Sequence, residues 1–270
     1  MFVHTAQWST EKPPLGSQIN WGHSLSQGLV GCWILNEGGG KLSKNIAPTP
    51  NTNLALTTNI YFKNNYIHSD SLVSANIPIT ANTFKITSTL SCFASVRRKG
   101  FYASNRQVML NRVTNDELWF LFNAAANGSE TLDIYLGRTN TPGYHKSTTA
   151  FNQVGKIYQV GFTYDLSNVR IYADGKLDKT SPDTGNANFS AQTTYFCNGS
   201  TNQYPNFYGD FFYIYLWNRA LSLSEIQSLY VEPYRMIQPI RRRFYFPVSE
   251  EAPAVAAGIM TTRTNFWGDL

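Results

Sequence analysis

The segment Gly209–Tyr230, GDFFYIYLWNRALSLSEIQSLY, constrains this chain more than any other. Aromatic side chains recurring every second residue from Phe211 to Trp217 suit a buried strand, while Leu223, Ile226 and Tyr230 follow at helical spacing. Ser222 and Glu225 fit a capping box, in which each side chain satisfies an otherwise orphan backbone N–H, and Leu221 with Ile226 fits the hydrophobic staple. Pro233 stops the helix. One short helix closing a strand-rich chain predicts an all-β fold, a two-sheet antiparallel jelly-roll sandwich with extended terminal arms, rather than an α/β enzyme.

The rest of the chain reads as strands and turns. Leu90, Cys92, Ala94 and Val96 alternate with Ser91, Phe93 and Ser95, which predicts a half-buried strand. Further strands are expected at Gly28–Asn36, Leu54–Thr57, Ile60–Ile67, Gln107–Val113, Glu117–Phe122 and Leu132–Leu136. Others are expected at Tyr158–Tyr164, Val169–Ala173 and Tyr195–Cys197, with Asp174-Gly175 as a type I′ hairpin turn. No repeat of fixed period is visible, which argues against a propeller or solenoid.

These signals place the sandwich at residues 28–232, an extended arm at 1–27 and a Pro-punctuated tail at 233–270. Neither end can build its own core. Chain ends become ordered only when contacts offset the entropy they lose, so arm and tail are expected to pack on copies of the chain or on other proteins. Trp8, Trp21, Arg241, Arg242, Arg243, Phe266 and Trp267 are the candidate assembly contacts.

Charged residues make up 14% of the chain, against about 25% in ordinary soluble domains, so its surface must be largely neutral polar. The net charge of +5 is dispersed. Its two clusters, Arg97–Lys99 and Arg241–Arg243, lack the interleaved aromatics of a single-strand-binding platform, which argues against nucleic acid. They read as solvated or assembly-facing patches. Cys32, Cys92 and Cys197 show no metal or redox spacing and read as buried free thiols. The N-terminal MFVHTAQWSTEKPP lacks a basic leader followed by an apolar stretch, and no apolar run nears the roughly 18 residues that span a bilayer. The expectation is folding in a reducing cytoplasm without membrane insertion.

Catalytic and cofactor motifs are missing. The acids Asp116 and Glu117, Glu130 and Asp133, and Asp174 and Asp178 are not spaced to place two carboxylates across one glycosidic bond. His4, His23, His68 and His145 are scattered and read as lone surface histidines, and Gly38–Gly40 before Lys41 follows a strand without opening a helix. The chain is expected to be non-enzymatic, with no cofactor. Aromatic and amide side chains in turns can grip sugars, and Asn140, Tyr144, Asn202, Tyr204, Asn206 and Tyr208 form the candidate carbohydrate site.

KIYQVGFTYDLSNVRIYADGKL at 156–177 and NGSTNQYPNFYGDFFYIYLWNRALSLSEIQSLY at 198–230 resemble the hairpin and closing element of laminin-G-like, concanavalin A-like sandwich domains. The resemblance spans about residues 28–232, and Asn218–Ser222 with Glu225-Ile226 is its specific part. The flanks KPPLGSQINWGHSLSQGLVGCWILNEGGG and YVEPYRMIQPIRRR resemble laminin-G-like proteins encoded by tailed bacteriophages. That resemblance implies a virion surface or structural component, made in the host cytoplasm and contacting itself, other virion proteins and host glycans. A lectin-like module for host adsorption is the alternative. Where the family carries paired aspartates, this chain keeps only Asp210 before Phe211, Phe212 and Tyr213. A hard cation needs more carboxylate oxygens than that, so no metal is expected there.

Overall fold

The computed structural model describes residues 11–49, 52–56, 60–69, 77–79, 89–100, 106–112, 118–124, 130–136, 143–184, 194–196 and 207–238. All belong to the unit Met1–Pro239; a second unit is Ile240–Leu270. The first third of the chain holds short strands: β1 (Gln18–Ile19), β2 (Leu29–Trp33), β3 (Leu42–Ser43), β4 (Leu54–Ala55), β5 (Ile60–Phe62), β6 (Ile67–Ser69) and β7 (Ile77–Ile79). Longer ones follow: β8 (Leu90–Arg98), β9 (Arg106–Arg112), β10 (Leu118–Ala124), β11 (Glu130–Leu136), β12 (Gly143–Ala150), β13 (Ile157–Tyr164), β14 (Asn168–Ala173) and β15 (Lys176–Pro182). After β16 (Thr194–Phe196) and β17 (Gly209–Trp217) come helix α1 (Leu223–Val231) and β18 (Ile237–Gln238).

The strands pair antiparallel in a six-stranded sheet, β12-β11-β10-β9-β16-β7, and an eight-stranded sheet, β15-β14-β13-β8-β17-β6-β5, with β2 also on β17. Alternation sends Phe120, Phe122, Leu132, Ile134 and Leu136 of the first sheet against Leu90, Cys92, Val96, Val160 and Phe162 of the second, forming the main core. The all-β sandwich of the sequence reading is therefore the observed fold. The Asp174-Gly175 turn has both residues at positive φ, 49° and 74°, as a type I′ hairpin demands. Ser222 and Glu225 close the expected capping box.

Four expectations are revised. The strand from Leu90 is buried on both faces, because Phe93 packs in a second apolar cluster and the Ser91 hydroxyl donates to Arg219 O at 2.7 Å. Gly161 sits opposite Phe93, where a Cβ would overlap the ring. The alternation through β17 is broken by a register shift between Phe211 and Tyr213. Phe211, Ile214 and Leu216 consequently face the main core, while Tyr213, Tyr215 and Trp217 face the second cluster. Third, β12 and β15 carry polar sequences, GYHKSTTA and KLDKTSP, with no hydrophobic period to reveal them. The last concerns the basic and histidine residues. Arg98 is buried and paired with buried Glu130 between the sheets, and His68 and His145 are buried beside Asp210 and Asp183.

The second cluster is a third layer over the eight-stranded sheet. Leu221, Ile226 and Leu229 from the helix region join Ile19, Leu25, Tyr234, Met236 and Ile237 over Cys32, Tyr213, Tyr215 and Trp217. The described part of the N-terminal arm thus lies on the chain's own body, where β1 pairs with β18 and Trp217 Nε1 donates to Leu25 O at 2.6 Å. Arg219 of the closing motif donates to Gln27 O and Ser24 O and pairs with Glu225, tying arm to helix. Lys12 reaches further, donating to Ile34 O, Leu35 O and the bulge carbonyl of Phe212 at 2.6, 3.1 and 2.5 Å. Residues 11–27 and 233–238 therefore find their contacts within the monomer.

Candidate functional site

Among the described residues, no helix or terminal segment packs on the outer face of the six-stranded sheet. Tyr135 and Tyr144 are cross-strand partners there, an aromatic row across β11 and β12, and Trp119 of β10 holds the register position opposite Tyr135. Tyr144 is 48% exposed and Tyr135 half-buried. Beneath them Asp133 is buried and accepts from Asn123 Nδ2 at 2.6 Å, from Thr131 Oγ1 at 2.9 Å and from the Tyr144 hydroxyl. Asn123 Nδ2 also donates to the Tyr144 hydroxyl at 3.1 Å. The carboxylate fixes the orientation of the amide and the phenol, so the tyrosine is a preset platform. Aromatic faces beside fixed polar side chains suit pyranose rings, which have one apolar and one hydroxylated aspect.

A different polar cluster lies on the eight-stranded sheet. Asp210 is fully buried, accepts from Arg97 Nε at 2.7 Å and Nη2 at 2.6 Å, and bonds His68 Nδ1. The carboxylate retained from the family pattern is therefore engaged by side chains of the fold. His68 also packs edge-on to Tyr61, and Tyr208 lies near it at 6.4 Å between ring centroids.

Of the predicted carbohydrate residues, Tyr144 and Tyr208 are described, and they sit on different sheets: Tyr144 in β12, Tyr208 entering β17 beside His68. Asn140, Asn202, Tyr204 and Asn206 lie outside the described residues, as do Trp8, Arg241, Arg242, Arg243, Phe266 and Trp267. Trp21 is 53% exposed in the turn after β1. Sequence reasoning missed Asn123, Asp133 and Tyr135, which it could have reached only by knowing that β12 pairs with β11.

The other buried acids serve the fold. Glu130 holds Arg98, whose guanidinium also lies 5.0 Å over the Phe122 ring and is pushed by burial down to about 10. Asp183 bonds His145 at 2.5 Å, and Asp178 on β15 accepts from Thr148 N and Thr149 N at 2.6 and 2.9 Å, clasping the two sheets along one side. Cys32 and Cys92 are free and buried, and burial raises both thiols.

A two-sheet sandwich with this closing motif defines a lectin-like class. A profile for the concanavalin A-like lectin/glucanases superfamily matches residues 70–227, and the chain belongs to that superfamily. No curated protein sequence matches it. Among solved structures it is similar to the binding domain of Paraclostridial Mosquitocidal Protein 1, with a TM-score of 0.61 and 14% identity over 77% of this chain and 52% of that one. It is similar to Trypanosoma rangeli sialidase in complex with sialic acid, at 0.57 and 15% over 78% and 34%. A third is a structure of botulinum neurotoxin type C, which needs two ganglioside molecules to get into cells, at 0.58 and 14% over 76% and 51%. The chain spans about a third to a half of the length of these proteins, and the likenesses show the fold alone.

Proposed function

We propose that the protein is a non-enzymatic glycan-recognition module that binds saccharide on the outer face of its six-stranded sheet. The observation that carries this reading is the aromatic row with its Asp133-anchored Tyr144 and Asn123. The non-enzymatic part rests on the acids, since every buried carboxylate described is already bonded to a donor of the fold. The test is a glycan array probed with the full chain, alongside Tyr135→Ala and Tyr144→Ala. Each variant, compared at matched folded concentration, should lose roughly tenfold in affinity, and Tyr135→Ala should unfold at nearly the wild-type temperature. Signals unchanged in both variants would remove the platform.

A second reading places this module on a tailed-bacteriophage particle as a surface component for host attachment, made in the host cytoplasm and associating with itself or other virion proteins. Two observations favour it: the flanking sequences that resemble phage-encoded laminin-G-like chains, and the exposure of Leu15 and Trp21 at one end of the body. Because most of residues 11–27 and 233–238 lie on the body, the anchor falls to the exposed Leu15 and Trp21 together with residues 1–10 and those beyond 238. A chain of residues 11–238 carrying Leu15→Ser and Trp21→Ser should fold and bind glycan but fail to join a particle; normal incorporation would count against this reading.

A further inference from the structure

The basic triplet Arg97–Lys99 is split by the pleat of β8. Arg98 turns into the core, whereas Arg97 turns to the outer face of the eight-stranded sheet. There its guanidinium is fixed on several sides. Nε and Nη2 donate to Asp210, so the side-on edge is spent, and the group rests over the rings of Tyr66 and Phe212 at 5.3 and 5.4 Å. Those rings touch each other at 5.4 Å between centroids. Phe212 is available for this because the register shift in β17 takes it out of the regular alternation, a known use of bulges. Nη1 has no hydrogen-bond partner among the described residues. The end-on fork of Nη1 and Nη2, the edge that takes a second carboxylate bidentately, is unspent.

Charge points the same way. Lys99 Nζ stands 3.7 Å from the same Asp210 oxygen and is 36% exposed, so a single carboxylate serves two permanent cations, Arg97 and Lys99, and the group keeps a net positive charge. An arginine immobilised on an aromatic floor has already lost its side-chain entropy and much of its hydration, which favours an incoming anion. Tyr61, also 36% exposed, sits beyond His68 as further apolar surface.

We propose that Arg97 and Lys99 form a recognition site for the carboxylate of an acidic saccharide, the carboxylate on the Arg97 fork with Lys99 beside it. The inference rests on the glycan-binding reading and adds to it a ligand class and a place on the opposite sheet. Uronic and sialic acids share the required chemistry, and the assay separates them.

The full chain is titrated calorimetrically with trigalacturonate and its methyl ester, and with sialyllactose and lactose. At least one acid should bind about tenfold or more tightly than its neutral counterpart, with affinity falling as salt is raised from low to high, since charge pairing at a partly exposed site is screened. Arg97→Lys, which keeps the charge on Asp210 but removes the fork, should abolish that preference. Lys99→Gln, at a more exposed position, should weaken acid binding several-fold with an unchanged unfolding temperature. Equal binding of acid and neutral sugar, or an acid preference untouched by both Arg97→Lys and Lys99→Gln, overturns this inference alone. Silence toward every saccharide, here and on the array, overturns it together with the proposed function.

Discussion

The two sheets differ most on the sides they turn away from each other. The eight-stranded sheet is roofed by the helix, the N-terminal segment and β18, and the residues beneath that roof are Phe93, Tyr213, Tyr215 and Trp217. The six-stranded sheet carries no such layer among the described residues, and its outward positions are Asn123, Thr131, Asp133, Tyr135, Tyr144 and Lys146. Both faces are aromatic, yet one set of rings is locked under apolar cover while the other presents phenol and amide groups. An aromatic strand residue therefore reports its role through what lies above it. Within a covered layer it is structural, and the face beside the buried carboxylate, which no described segment covers, is the one we propose for recognition.

The difference can be broken by mutation. The largest effect belongs to the core that both sheets share: Glu130→Ala leaves the Arg98 guanidinium buried without its partner and should cost about 3–5 kcal/mol in denaturant unfolding. Ile226→Ala under the roof removes fully buried aliphatic volume and should cost about 2–5 kcal/mol. Tyr135→Ala on this face should cost under about 1 kcal/mol, because a half-exposed position loses little packing, and Tyr144→Ala about 1–3 kcal/mol, because it takes a donor from buried Asp133; each should weaken glycan binding about tenfold. Equal losses at Ile226 and Tyr135 would erase the contrast.

A smaller test concerns the roof's fastening. Burial pushes the Glu225 carboxyl up, but the Arg219 guanidinium and the Ser222 bonds outweigh it and hold the carboxyl below its ordinary value. With the folded value depressed, this carboxylate stabilises the protein above its unfolded pKa of about 4.5, and the contribution disappears as pH falls through the lower folded value. Glu225→Gln keeps the capping box but gives up the partly exposed ion pair with Arg219, so it should lose under about 1 kcal/mol at neutral pH and should flatten that part of the acid limb of the stability curve. An acid limb identical to wild type would show that the fastening is elsewhere.

The legible parts of this molecule were those in which side chains repeat with the backbone period or a turn demands a residue type. The Asp174-Gly175 hairpin, the capped helix and the central strands β8, β13 and β17 all fall in that group. Pairing was not legible. Nothing local in GYHKSTTA marks a strand, because β12 lies at the sheet edge and is held by Asp178 and Asp183 from across the sandwich, not by an apolar face. The candidate site was half visible for the same reason: Tyr144 stands out as a turn-proximal aromatic, but Asp133 and Asn123 acquire meaning only once β10, β11 and β12 are aligned. Arg97 and Arg98 look identical in a row of basic residues. The pleat sends one to Glu130 in the core and the other to Asp210 on the outer side of the eight-stranded sheet.

The claim on which the rest depends is that the uncovered face binds sugar. Its most direct measurement is glycan-array binding of the full chain compared with Tyr135→Ala and Tyr144→Ala at matched folded concentration. A defined set of neutral saccharides should be bound by the wild type and weakened about tenfold in both variants; binding of those saccharides at wild-type strength in both, or no binding by the wild type, would contradict the claim.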